Sequence, residues 1–101
     1  MMYVHANVKV KYGRLAAFNE AMITVKRVME SHGWRLVGAW MTLIGDLHEV
    51  HDLWEVDDAN AVPAALAAAA EDPDFAAAVE QLSAIADREV LSLLTKTPYS
   101  P

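Results

Sequence analysis

The chain has 101 residues, a formal net charge of −6, and hydrophobic side chains at 54% of its positions. Eight basic residues against 14 acidic ones form no basic stripe, so neither nucleic acid nor an anionic membrane is expected as a partner. Cysteine is absent, which excludes disulfides, thiolate metal sites and a cysteine nucleophile. With no apolar run of about 18 residues and no signal-peptide pattern, we expect one cytoplasmic domain over residues 1–101 without membrane insertion.

The first two elements follow from periodicity. Residues 3–11 alternate between apolar and polar side chains, which predicts a strand. The apolar set of this strand is Val4, Ala6, Val8 and Val10. Residues 14–32 carry apolar side chains at helical spacing, and Gly33 stands where the C-cap of that helix is expected.

The middle of the chain predicts a hairpin. Residues 34–44 are rich in Trp, Val, Leu and Ile, which is typical of a strand. Residues 44–47 carry a turn signal, and residues 47–56 then predict the third strand, paired with the second.

The last third of the chain predicts a split helix and a final strand. Residues 59–70 form the first helical part, and Asp72-Pro73 starts a second part that continues to about Arg88. Residues 89–97 predict the fourth strand. The order β-α-β-β-α-β predicts an α+β, ferredoxin-like fold with a four-stranded antiparallel sheet and a split second helix. Helices cover one face of such a sheet, so the bare face and the three tryptophans predict a homodimer.

A family resemblance agrees with this fold. Residues 33–45, which read GWRLVGAWMTLIG, resemble the second strand of NIPSNAP-type domains. Leu53-Trp54 before an acidic helix start, residues 71–75 (EDPDF) and the ending at residues 98–101 (PYSP) resemble other parts of that family. The resemblance implies a dimeric α/β barrel in which the sheets of two subunits face each other. Asp52 is a departure, since members often carry histidine at that position, and the first strand lacks the charged and aromatic side chains often found there.

Strand parity defines the candidate ligand site. If the valines of the first strand pack on the helices, its polar side chains point into the space between the two sheets, together with groups from strands two and three. The candidates are His5, Asn7, Lys9, Trp40, Thr42, Glu49, His51 and Glu55. With reversed parity on the third strand, Asp52 and Trp54 would face that space instead. The first arrangement is preferred because Lys9 and Glu55 would be costly to bury under helices.

Structural explanations exist for the same residues. His5 and His51 could instead be histidines of a subunit interface. Trp34 and Trp54 could fill the core. Glu49 and Glu55 could form ion pairs across strands, with Lys9 and Arg35 respectively. His48 and His51 lie three apart on a predicted strand and face opposite ways, so no metal site is expected.

Two functions therefore remain open. The chain is either a dimer that binds a small organic ligand, which is the favoured hypothesis, or a cofactor-independent enzyme that uses histidine and carboxylate groups for proton transfer, in the manner of a monooxygenase, cyclase or isomerase. No cofactor is expected in either case. Haem held by a histidine is a weaker third option.

Overall fold

The strands of this computed structural model, which describes residues 1–101, form one antiparallel sheet in the order β2-β3-β1-β4. The strands are β1 (Met2–Val10), β2 (Arg35–Met41), β3 (Glu49–Val56) and β4 (Ala86–Leu94), and the helices are α1 (Leu15–Ser31), α2 (Ala61–Ala69) and α3 (Pro73–Ile85). The predicted ferredoxin-like fold with a split second helix is confirmed. No helix is both long and apolar enough to span a bilayer.

All three helices share one face of the sheet. Every second residue of β1 from Val4 to Val10, and of β3 from Val50 to Val56, is buried against them. The molecule measures only 17 Å along its thinnest dimension, which fits one sheet and one layer of helices. The opposite side of the sheet, here called the open face, is therefore not covered by any element of this chain.

The helix ends follow the sequence signals. Gly33 takes a φ of 95° just after α1, a left-handed conformation that glycine adopts without a steric penalty. Asp72 caps α3, and its side chain accepts hydrogen bonds from the backbone N–H groups of Asp74 and Phe75. This cap and Pro73 explain why the second helix is split.

Several predicted boundaries are wrong, mainly those of the second and fourth strands. The fourth strand begins at Ala86 and ends at Leu94, three residues earlier at each end than expected, because Ala86 is extended and pairs with Val10. The second strand ends at Met41, and residues 42–48 form a longer connection than the predicted turn. Residues 86–88 carry no β-branched side chain, so their sequence gives no strand signal and simply extends the helical pattern.

Candidate functional site

The open face carries most of the predicted site residues. His5, Asn7 and Lys9 of β1 alternate with the buried valines, and they pair in register with Leu53, His51 and Glu49 of β3. Trp40 of β2 pairs with His51, and Thr42 follows the end of β2, where its backbone N–H donates to the carbonyl of Glu49. The parity preferred from the sequence is thus the one found; whether these residues bind a ligand stays a prediction.

A hydrogen-bonded histidine pair lies at the centre of the open face. The rings of His5 and His51 are stacked with centroids 5.4 Å apart, and His5 Nε2 lies 3.2 Å from His51 Nδ1. The side-chain amide nitrogen of Asn7 lies 3.3 Å from the same His51 Nδ1. Since an amide nitrogen only donates, His51 Nδ1 is the acceptor, which places the proton of a neutral His51 on Nε2.

Charged groups on the open face are already paired. Arg35 Nε lies 3.0 Å from Glu55 Oε1, as the cross-strand pairing predicted, and this bond lowers the pKa of Glu55. The predicted pairing of Glu49 with Lys9 is wrong. Glu49 pairs with Arg88 of β4 at 2.7 Å, whereas Lys9 pairs with Asp46 in the 42–48 connection, which comes back over the end of β1.

Trp40 lies flat over a glycine of its own strand. A Cβ atom at Gly38 would stand 2.6 Å from the indole Cη2 of Trp40, so the ring occupies the space that a side chain would fill. The indole is nevertheless 57% exposed. A large aromatic surface on the face that lacks a helix layer is available for contact with another molecule.

A cavity lies on the other side of the sheet, between the strands and the helices. This helix-side cavity has a volume of about 580 Å³ and is bounded by β1, β3 and β4 on the sheet and by α1, α2 and α3 above them. Its lining is mostly apolar and comprises Ala6, Val8, Phe18, Met22, Val25, Met29, Trp34, Asp52, Trp54, Leu66, Phe75, Val79, Leu82, Ser83, Ala86, Asp87, Arg88, Glu89 and Leu91.

Asp52 is the one buried charged residue of the chain, and it lines this cavity. Its relative exposure is 4%, and no hydrogen bond or ion pair engages its carboxyl group. Burial, reinforced by the carboxylate of Glu89, raises the pKa of Asp52 from 3.8 to about 6, although His51 opposes the rise. A carboxyl group that changes protonation near neutral pH, inside an apolar cavity, suits ligand binding or proton transfer.

Trp54 and Trp34 form the aromatic wall of the same cavity. Their rings meet edge to face with centroids 5.7 Å apart, and the indole N–H of Trp34 donates to the carbonyl of Ala61. Asp52 and Trp54 were the reversed-parity candidates. The structure places both on the helix side rather than between two sheets, yet both line a cavity there.

A smaller cavity of about 370 Å³ lies at the margin of the open face. It is bounded by Tyr3 of β1, Leu53 of β3 and Leu94 of β4, and by the C-terminal segment 95–101. His48 lies away from both cavities, where its ring packs on Tyr12 with centroids 5.1 Å apart. His48 precedes β3 and has a φ of 68°, so it lies outside the alternation that places His51 on the open face.

The sequence interpretation missed the helix-side cavity. One signal was present. Asp52 stands between Val50 and Trp54 in the row of alternate β3 residues that faces the helices, and it is the one charged residue of that row. A carboxylate at a helix-facing position costs free energy unless it is hydrogen-bonded or paired, so its presence there is a signal of function. The size of the cavity had no sequence signal, because it depends on how the helices pack on the sheet.

Comparisons with known proteins agree with this fold. The NIPSNAP family model matches residues 5–101, whereas no curated protein matches the chain in sequence. An uncharacterised NIPSNAP domain protein from Burkholderia xenovorans has a TM-score of 0.86 at 20% identity, with 100% of this chain and 99% of that chain covered. A NIPSNAP family protein from Agrobacterium tumefaciens has a TM-score of 0.88 at 19% identity, with coverage of 100% and 92%.

The fold is also similar to that of an enzyme. An antibiotic biosynthesis monooxygenase has a TM-score of 0.73 at 12% identity, with 97% of this chain and 100% of that chain covered. At these identities the likeness concerns the fold alone.

Proposed function

The chain belongs to the NIPSNAP family, and on this premise we propose that it binds a small organic ligand in the helix-side cavity. The observation that carries the proposal is Asp52, a residue only 4% exposed whose carboxyl group has no hydrogen-bond partner and lines a mostly apolar cavity of about 580 Å³. Ligand cavities of this kind have volumes of roughly 300–1,000 Å³ and combine apolar walls with a few polar groups.

The cavity has an opening that a ligand could enter. Leu91 on β4 and Val79 on α3 both line it, yet they are 48% and 43% exposed, so they stand at its rim. These two side chains give the ligand an apolar path from solvent to Asp52, although the exposed charged residues of β4 also line the cavity. Burial of the ligand's apolar surface along this path supplies the affinity, at roughly 25 cal/mol per Å².

Intrinsic fluorescence tests this proposal. In a Trp40→Phe variant the two remaining tryptophans, Trp34 and Trp54, both line the cavity and would report ligand entry. We expect phenylbutanol to change this emission saturably, and Val79→Phe in the same background to weaken the effect by filling the rim. Ala77→Phe is the matched control, because Ala77 is an exposed residue of α3 outside the lining. Equal responses in both variants, or no saturable response, would contradict the proposal.

The open face supports a second element of the proposal, homodimer formation. Two copies of the 1–101 domain would pack these faces together and cover Trp40, Leu94 and Val90, which are 57%, 43% and 46% exposed. The predicted inter-sheet ligand site around His5 and His51 would exist only in that dimer. Sedimentation equilibrium should give twice the 11.1 kDa chain mass, and a monomer at micromolar concentration would remove both the dimer and the inter-sheet site.

Catalysis is the second candidate function, and the pKa of Asp52 favours it. A carboxylate with a pKa of about 6 in an apolar cavity is a stronger base than an ordinary aspartate and is still mostly ionised at neutral pH. It would abstract a proton from an activated C–H group of a bound substrate. Solvent deuterium exchange into benzoylacetone should then be accelerated, follow the ionisation of Asp52 and disappear in Asp52→Asn. Exchange that is unchanged in Asp52→Asn would leave only the binding function.

A further inference from the structure

The polar part of the helix-side cavity is acidic. Three carboxylate residues line it: Asp52 on β3, and Asp87 and Glu89 on β4. Glu89 pairs with Val8 of the helix-facing row, and Asp87 lies at the β-bulge of β4 opposite Lys9 and Val10. The lining residues of the helices add only apolar side chains and the hydroxyl of Ser83, so no helix supplies a charged partner for the carboxylates.

The one basic residue in the lining does not neutralise them. Arg88 stands between Asp87 and Glu89, so its side chain leaves β4 on the opposite face. Its guanidinium Nη2 lies 2.7 Å from Glu49 Oε1 and 3.5 Å from the amide oxygen of Asn7, both on the open face. The lining thus carries one buried carboxyl group, Asp52, and two exposed ones, Asp87 and Glu89, while its one basic side chain pairs with groups on the open face.

We propose that the ligand of this cavity is an organic ammonium compound with an apolar or aromatic body. This inference rests on the proposed function and specifies its ligand class. The ammonium group would donate to the unpaired carboxylate of Asp52, while the body would contact the aromatic rings of Trp34, Trp54 and Phe75. Aromatic faces also attract cations, so the same walls suit both parts of the ligand. A carboxylic acid of the same shape should bind more weakly, because like charges repel.

Matched probes test the ligand class. Isothermal titration calorimetry should show phenylbutylamine binding about ten- to a hundredfold more tightly than phenylbutanol, the factor expected for one hydrogen bond to a charged group. Phenylbutyrate should bind more weakly than either. In Asp52→Asn the ratio of amine to alcohol affinity should fall to about one. Glu20→Gln removes the same charge from an exposed position of α1 outside the lining and should leave the ratio unchanged.

The dependence on pH gives an independent readout. Asp52 is faced by Asp87 and Glu89 from β4 and lies beside His51 on its own strand, and its pKa is about 6. The affinity for phenylbutylamine should therefore fall as the pH is lowered through about 6, because the carboxylate is lost, while the affinity for phenylbutanol stays level or rises. Tighter amine binding at low pH would overturn the proposal.

The outcomes separate the two proposals. If all three probes bind equally and Val79→Phe weakens all of them, the cavity binds small molecules but the ammonium class is wrong. If none binds, or Val79→Phe changes nothing, the cavity is not the ligand site and both proposals fail. Selective amine binding that survives in Asp52→Asn would also overturn the ammonium class assignment, because the selectivity would come from another group.

Discussion

Replacement of Asp52 by asparagine should stabilise the fold at neutral and alkaline pH. The folded protein holds Asp52 in an environment that raises its pKa from 3.8 to about 6, so ionisation above that value opposes folding. At about 1.4 kcal/mol per pKa unit, full burial would cost about 3 kcal/mol. Water that enters the cavity screens part of this cost, so we expect Asp52→Asn to raise the free energy of unfolding by about 1–3 kcal/mol at about pH 8.

The sign of the pH dependence is the sharper part of this prediction. Because the folded-state pKa of Asp52 lies above its unfolded value, the folded protein binds the proton more tightly, and this contribution to stability is lost as the pH rises from about 4 to about 6. Asp52→Asn removes the ionisation, so the difference between the two proteins should be largest above about pH 6 and shrink towards about pH 4.

Urea unfolding, followed by tryptophan fluorescence at fixed protein concentration, measures these free energies. Glu20→Gln serves as the charge-matched control and should show no such gain. A destabilised Asp52→Asn protein at about pH 8 would refute the reasoning, since it would mean that the carboxylate makes a favourable interaction that the asparagine cannot replace. A residue that weakens the fold is expected where its side chain has a function, as we propose for Asp52.

Three further predictions concern the frame around the sites. Trp54→Ala should lower the free energy of unfolding by about 3–5 kcal/mol in urea titrations, because a side chain that is 3% exposed is lost from the core. Asp72→Ala should cost about 1 kcal/mol by the same measurement, since α3 loses its N-cap bonds, and Asp74→Ala, which leaves that cap in place, should cost less. Gly38→Ala should displace the indole of Trp40, seen as a shift of its N–H resonance in NMR spectra, and an unchanged resonance would show that the ring does not lie over Gly38 in solution.

The sequence predicts the faces of the sheet better than the contacts across it. Side chains in β1 and β3 alternate between the two faces of the sheet. Once the valines of both strands lie on the helix side, His5 and His51 must lie on the open face. The pairing of Lys9 with Asp46 could not be predicted in the same way, because it depends on how the 42–48 connection folds back. Short elements with regular spacing are encoded locally, whereas ion pairs formed by irregular segments are not.

The helix-side cavity could not be predicted for a different reason. Its walls come from six elements, three strands and all three helices, so its volume depends on how the helices pack on the sheet. The preferred parity of β3 keeps Asp52 out of the space between the sheets, but only the packed helices show that it is buried and that its carboxyl group meets a space rather than a partner. A buried acidic residue in an otherwise apolar strand face is the signal that sequence analysis can use elsewhere.

A crystal structure of the protein with phenylbutylamine tests the central claim most directly. We predict density for one ligand between α3 and the sheet, with its nitrogen within hydrogen-bond distance of the Asp52 carboxyl group and its ring against Trp54. Density on the open face beside His5 and His51, with the helix-side cavity empty, would contradict the account and place ligand binding between the sheets instead.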